Sequence, residues 1–131
     1  MKLYIYTANG KHIKKENVEK VTFKSDEGDR TILPNHTDYI CKVNSGILSY
    51  AINNEDKAII VHYGLLQIIG GDIKAYLIES IYDEHIDNYD KYVEMHEKID
   101  KELTGEPISN RKKDYLSSKK TFVKTIIDQK R

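Results

Sequence analysis

Cysteine and proline are nearly absent: Cys41, Pro34 and Pro107 are the only three in 131 residues. The lone thiol excludes an internal disulfide and a cysteine-rich zinc site. No apolar run approaches the roughly 20 residues that span a bilayer, so no direct membrane insertion is expected. The opening MKLYIYTANG has one positive charge and a short apolar run, so no secretory signal is expected. Net charge is missing too, because 21 basic and 21 acidic side chains cancel. A dedicated nucleic-acid binder carries a basic excess, so nucleic acid is not an expected partner.

The motifs of catalysis are also missing. There is no G-x-S-x-G, no P-loop and no G-x-G-x-x-G. His12, His36, His62, His85 and His96 form neither H-x-x-x-H nor H-E-x-x-H spacing. SDEGD, residues 25–29, lacks the alternating acids and terminal Glu of a calcium loop. No catalytic residue, metal or cofactor is therefore expected, and weight moves to a binding or structural role. Two histidines stay open as parts of a small hydrolase: His36, after Pro34 in a loop, and His62, at a strand end beside Tyr63. A packed, satisfied role is the plainer reading of His62, and a small buried side chain is the plainer reading of Cys41.

What is present is segregated charge. Residues 1–80 hold 10 acids and 10 bases, residues 81–103 hold 8 acids and 3 bases, and residues 109–131 hold 2 acids and 8 bases. The hydrophobic period changes at the same place. Up to Ser80 the chain reads as short strands: KLYIYTA, NVEKVTF, TIL, DYICKV, ILSYAI, KAIIVHY, LLQII and IKAYLIE. NNED and GGD read as turns, and Gly64 as a break between KAIIVHY and LLQII. This spacing predicts an antiparallel β-sandwich or barrel over residues 1–80.

After Ser80 the period becomes about 3.6. Ile86, Tyr89, Val93, His96, Ile99 and Leu103 share one helical stripe. Ser80 and Asp83 resemble a capping box, and Gly105 with Pro107 end the helix. A second helix begins at Ser109 or Asn110, with the stripe Tyr115, Leu116, Phe122, Val123, Ile126 and Ile127 and with bases near its C-terminal end. The short connection makes residues 81–131 an antiparallel two-helix hairpin. The fold class is α+β.

FKSDEGDRTILPNHTDY resembles the signature of the epsilon subunit of F-type ATP synthases: an acid-glycine-acid turn, a short strand, then Leu-Pro-Gly-His. Glu27, Gly28, Asp29, Ile32, Leu33, Pro34 and His36 fit it. KVNSGILSY, AIIVHYGLLQI with Gly64, and GDIKAYLIES resemble further strands of that family, and the hairpin matches in architecture. Arg30, Thr31, Asn35, Asp38, His62 and Tyr63 depart from the pattern. HIDNYDK resembles the family's ATP-binding motif only at Ile86 and Asp87. Asp90 stands where that motif has arginine, and an acid there repels phosphate, so weak or absent ATP binding is expected.

The resemblance implies a non-catalytic rotor subunit of an ATP synthase. The sandwich would pack against the gamma subunit and the membrane c-ring, with Glu27, Gly28, Asp29, Arg30 and His36 at the ring. The hairpin would be regulatory. Lys112, Lys113, Lys119, Lys120 and Lys124 would meet an acidic segment of the beta subunit and restrain ATP hydrolysis. The implied location is peripheral, on the cytoplasmic face of a bacterial membrane. A rotor subunit of a related ATPase not used for synthesis, and a free-standing sandwich module, remain the other readings.

Overall fold

The computed structural model describes residues 1–105 and 109–129. Eight strands precede two helices: β1 (Leu3–Thr7), β2 (His12–Lys15), β3 (Lys20–Ser25), β4 (Gly28–Ile32), β5 (Tyr39–Val43), β6 (Gly46–Ile52), β7 (Glu55–Ile69) and β8 (Asp72–Tyr82), then α1 (Tyr89–Thr104) and α2 (Asn110–Gln129). The expected sandwich followed by a helical hairpin is the fold observed. Strand order is β2-β1-β8-β7-β6-β3-β4, and β5 pairs with the far half of β7. Neighbours run antiparallel except β1 and β8, which are parallel.

Local chemistry explains most of the turns. Asn53 and Asn54 both adopt positive φ, 52° and 63°, which a tight β6–β7 hairpin requires. The β3–β4 turn is Asp26–Glu27, one residue earlier than the acid-glycine-acid reading places it. Gly28, at φ 106°, opens β4. Ser25 secures this turn: its Oγ donates to Gly28 O at 2.7 Å and accepts from Glu27 N at 3.2 Å.

One hydrophobic core fills the sandwich, with Leu3, Ile5, Phe23, Ile32, Leu48, Leu66 and Ile73 all buried. Alternation along β7 shows how the core is shared. Ile59 and Val61 face it from the near half, Leu66 and Ile68 from the far half. The inward parity therefore switches between residues 61 and 66. Yet the β7–β8 register never slips, from Ile59↔Tyr82 to Ile69↔Asp72. The strand pair thus turns its other face to the core at Gly64. There the backbones approach so closely that a Cβ on Gly64 would lie 1.9 Å from Tyr76 O. Gly64 does not break the strand, as its sequence context implied. It is the point where one continuous strand changes faces.

The near half of β7 is buried on both sides, from Ile59 to His62. Its second covering is the hairpin: Ile60 packs with Ile86, Ile99, Leu116, Phe122, Val123, Ile126 and Ile127. Three expectations about the helices change. β8 runs on to Tyr82 because Ser80, Ile81 and Tyr82 pair with Val61, Ile60 and Ile59, so Ser80 caps nothing. A 3-10 turn (Asp83–His85) follows, and α1 starts at Tyr89 with Asn88 as its cap, accepting from Lys91 N at 3.2 Å. Ile86 is buried but lies outside the helix, while Tyr92 and Met95 join the packed side of α1. Gly105 has φ −84°, not a left-handed cap, and Pro107 lies outside the described residues.

Helix α2 begins as expected, with Ser109 Oγ accepting from Lys112 N at 3.2 Å. Its last turn contains no base, so the bases are not gathered at that end of the described helix. They stand at Arg111, Lys112, Lys113, Lys119, Lys120 and Lys124. No described helix is long and apolar enough to cross a membrane.

Candidate interaction surfaces

The β3–β4 turn and the loop before β5 bring several expected contact residues together. Arg30 Nη2 donates to Glu27 Oε2 at 2.7 Å, and its guanidinium lies 5.1 Å from the Tyr39 ring centre. His36 tilts against the same ring at 6.3 Å, and its Nδ1 is 2.7 Å from Thr37 O. Asp29 pairs with Lys24 at 3.5 Å. In this turn only Asp26 lacks an ion pair among the described residues, so the acidic surface expected at Glu27 and Asp29 is largely neutralised. Among the described residues, the contacts of His36 are with Thr37 O and the Tyr39 ring and not with a carboxylate.

A second surface was not foreseen. It is the outer face of the far sheet half, opposite the core. Register places Leu65 beside Lys42 and Tyr76, Tyr76 beside Tyr6, and Tyr6 beside His12. The next row is Ile40, Gln67, Lys74, Tyr4 and Lys14. Ile40 is 63% exposed, Ile69 53%, Leu65 49% and Tyr76 45%. Tyr6 stacks on Tyr4 and Tyr76, and the Lys14 and Lys74 ammonium groups lie within 6.0 Å of the Tyr4 ring centre. These two rows contain three lysines and no carboxylate. The face thus mixes exposed aliphatic and aromatic side chains with lysines, a composition that suits a partner surface. Its sequence signal was the alternation of Tyr4 with Tyr6 and of Leu65 with Gln67 and Ile69. What sequence alone cannot show is that five strands align these residues into rows.

The third place is the junction of α2 with β7 and β8. His62 is fully buried among Tyr63, Tyr115 and Phe122, the last stacked at 5.5 Å and 19°. Its Nε2 is 2.9 Å from Ser118 Oγ, and its Nδ1 is 3.5 Å from Glu79 Oε1 without an aligned hydrogen bond. Lys119 Nζ bonds Glu79 and sits 5.3 Å from the Phe122 ring centre. Ser118, His62 and Glu79 stand in the order of a proton relay, but the Ser118 hydroxyl donates to Tyr115 O at 2.8 Å and Lys119 claims the carboxylate. That makes the cluster a clasp between helix and sheet, not an activated nucleophile.

His62, whenever its Nδ1 carries a proton, and the Lys119 ammonium hold the Glu79 carboxyl down to about 2, against the upward pull of burial. A depressed carboxyl stabilises the fold above its unfolded value of 4.5 and stops doing so as pH falls through about 2. Glu79 is one-third exposed, so we discount the full shift for screening to about 1–2 kcal/mol. Glu79→Gln is expected to lower stability by that amount at pH 7 and to flatten the acid limb between about pH 4.5 and 2. Acid titration followed by circular dichroism checks this, and an unchanged acid limb would remove Glu79 from the clasp.

The five lysines expected to meet a partner divide into two sets. Lys119 is bound to Glu79, and Lys120 to Asp100, which His96 also approaches at 3.7 Å. Lys112, Lys113 and Lys124 are exposed. Ile86 is a core residue and Asp87 an exposed one, so they do not form a shared site. No cluster of three metal-ligating side chains exists among the described residues.

Residues 1–75 match the family model described as "ATP synthase, Delta/Epsilon chain, beta-sandwich domain". No curated protein sequence matches the chain. Among solved structures, a chain from the Euglena gracilis mitochondrial ATP synthase, OSCP/F1/c-ring, is similar with TM-score 0.75 and 15% identity, covering 98% of this chain and 80% of that one. A chain from the Tetrahymena thermophila mitochondrial ATP synthase central stalk/c-ring gives TM-score 0.66 and 11% identity, covering 98% and 94%. At these identities the likeness shows a shared fold.

Proposed function

Since the chain belongs to the ATP synthase delta/epsilon family, we propose that it is a non-catalytic central-stalk subunit that links the gamma subunit to the c-ring and restrains ATP hydrolysis through its C-terminal helices. The observation that carries this reading is the exposed aliphatic and aromatic sheet face on the side that the hairpin leaves open. An apolar surface of this kind suits a permanent partner better than a passing one. The turn cluster at Glu27, Gly28, Asp29, Arg30 and His36 supplies the c-ring contact. Because Arg30 and Lys24 already occupy Glu27 and Asp29, that contact sets orientation more than affinity.

The hairpin supplies the restraint. Lys112, Lys113 and Lys124 are open to solvent while the helices lie on the sheet; Lys119 becomes available when the hairpin lifts from Glu79 on β8, and Lys120 when α2 parts from Asp100 on α1. All five then face an acidic segment of the beta subunit. The complex lies peripherally on the cytoplasmic face of a bacterial membrane. No cofactor is needed, and Asp90 at the start of α1 keeps nucleotide phosphates away.

Removal of residues 83–131 tests the restraint and leaves β8 whole. The assembled complex is expected to hydrolyse ATP severalfold faster, and the truncated chain still to co-purify with gamma and c subunits. An unchanged rate would end the inhibitory reading. Loss of co-purification would move the rotor contact from the sheet to the helices.

A further inference from the structure

Two hollows meet where β7 changes faces. The larger, about 1010 Å³, lies between the sandwich and the first half of α2. Lys42, Tyr63 and Leu65 line it from the sheet, and Arg111, Tyr115 and Ser118 line it from the helix. The smaller, about 380 Å³, is lined by Tyr6, Tyr63, Gly64 and Tyr76. Lys42, Leu65, Tyr76 and Tyr6 are also neighbours along one row of the open sheet face. The open face and the flank of α2 are therefore one surface, joined through shared residues.

The size of a stable contact gives this continuity a consequence. A standard interface uses about 20–30 residues a side, more than the two exposed rows supply. The rows end on one side at the Gly70–Gly71 turn and border α2 on the other. A partner that covers them and reaches that size extends onto Tyr63 and Tyr115, both of which are exposed. Charge states what kind of partner fits. Lys42 and Lys74 in the rows and Arg111 on α2 have no ion pair among the described residues, while Lys14 reaches Glu16 at 3.8 Å. Asp72, the acid just beyond the rows, accepts from Lys2 N. Within the larger hollow Asp26 and Asp114 are the acids without an ion pair among the described residues. A second copy of this chain would set lysines against lysines across the rows. An apolar protein surface with carboxylates opposite Lys42 and Lys74 fits them.

We infer that the open sheet face and the first half of α2 form one seat for a single partner, which, once bound, holds the hairpin down. Lifting the hairpin takes Arg111, Tyr115 and Ser118 out of the seat and leaves the partner its sheet contacts alone. The partner therefore binds the docked chain more tightly, and by the same factor it makes the hairpin harder to open.

Taking gamma as that partner rests on the proposed function. Hydrogen exchange of the full-length chain, free and bound to purified gamma subunit, tests the shared seat. The amides of Val123 to Ile127 are read, because they lie on α2 beyond Thr121, the last residue lining the groove. They are expected to open about tenfold less often in the complex than in the free chain, an ordinary strength of coupling between two sites. Arg111→Glu, on the helix side of the seat, is expected to shrink that ratio to about twofold. Lys42→Glu combined with Lys74→Glu is expected to weaken gamma binding itself about tenfold or more. A wild-type ratio within about twofold overturns the shared seat, as does an undiminished ratio in Arg111→Glu. Faster opening in the complex overturns it too, since the partner would then favour the lifted hairpin. Unchanged gamma binding by the double lysine variant overturns the acidic character of the partner surface. Binding of gamma without any of this coupling leaves the rotor role standing, whereas no binding at all removes that role and the seat together.

Discussion

Gly64→Ala is expected to destabilise the chain by about 4 kcal/mol or more, a large share of the about 5–15 kcal/mol that holds a domain together. The new methyl carbon would sit 1.9 Å from Tyr76 O and 2.9 Å from Leu77 Cα. Both are backbone atoms, so no rotamer relieves the overlap. Relief requires β7 and β8 to separate where their shared hairpin changes faces, and ladder bonds on both sides of Gly64 would strain with it. Thermal denaturation of the purified variant, or its failure to accumulate in soluble form, reads the result. A loss below about 1 kcal/mol would mean that the strands part there without resistance, and the face change would then need another cause.

Phe122→Ala is expected to cost about 3–5 kcal/mol, the usual range for removing a buried aromatic ring. Phe122 is almost wholly buried. It packs in the cluster that joins α2 to Ile60, stacks on His62 and underlies Lys119. The core of the sandwich has a different membership and includes no helix residue. The variant should therefore lose its helical signal at lower urea than its sheet signal, giving two transitions where the wild type gives one. A single transition, shifted as a whole, would show that hairpin and sandwich unfold only together.

Much of the architecture was legible in the sequence because its cause is local. Asn53–Asn54 announce a tight turn through their tolerance of positive φ. Leu116, Phe122, Val123, Ile126 and Ile127 announce the buried stripe of α2 through their spacing. Where the reading failed, a distant partner decided. Ser80 looks like a helix cap until Val61 is found opposite it. HIKK is too short and too basic to announce β2, yet β1 offers it an open edge. Gly64 between two apolar runs looks like an interruption, because period alone cannot separate a strand that ends from one that turns over.

The candidate sites divide in the same way. The turn at Glu27 and Arg30 was visible because its members are close in sequence. The exposed rows on the far sheet half and the clasp at His62 were not, since each needs three or more elements brought together. A packed histidine was the plainer reading of His62, and burial agrees. Its link to Ser118, 56 residues away, carries no sequence signal.

The continuity of β7 also has a mechanical side. At about 3.3 Å per residue, fifteen residues reach up to about 50 Å. One unbroken rod thus carries the helices at one end and β5 with the exposed rows at the other. Ten residues of β7 pair with β8 in one register. Tension along this axis loads those bonds in shear, all at once, whereas an edge strand such as β2 peels one bond at a time. Under load the molecule should fray at its margins long before its spine yields, so a force entering at the open sheet face reaches the seat of the hairpin nearly undiminished.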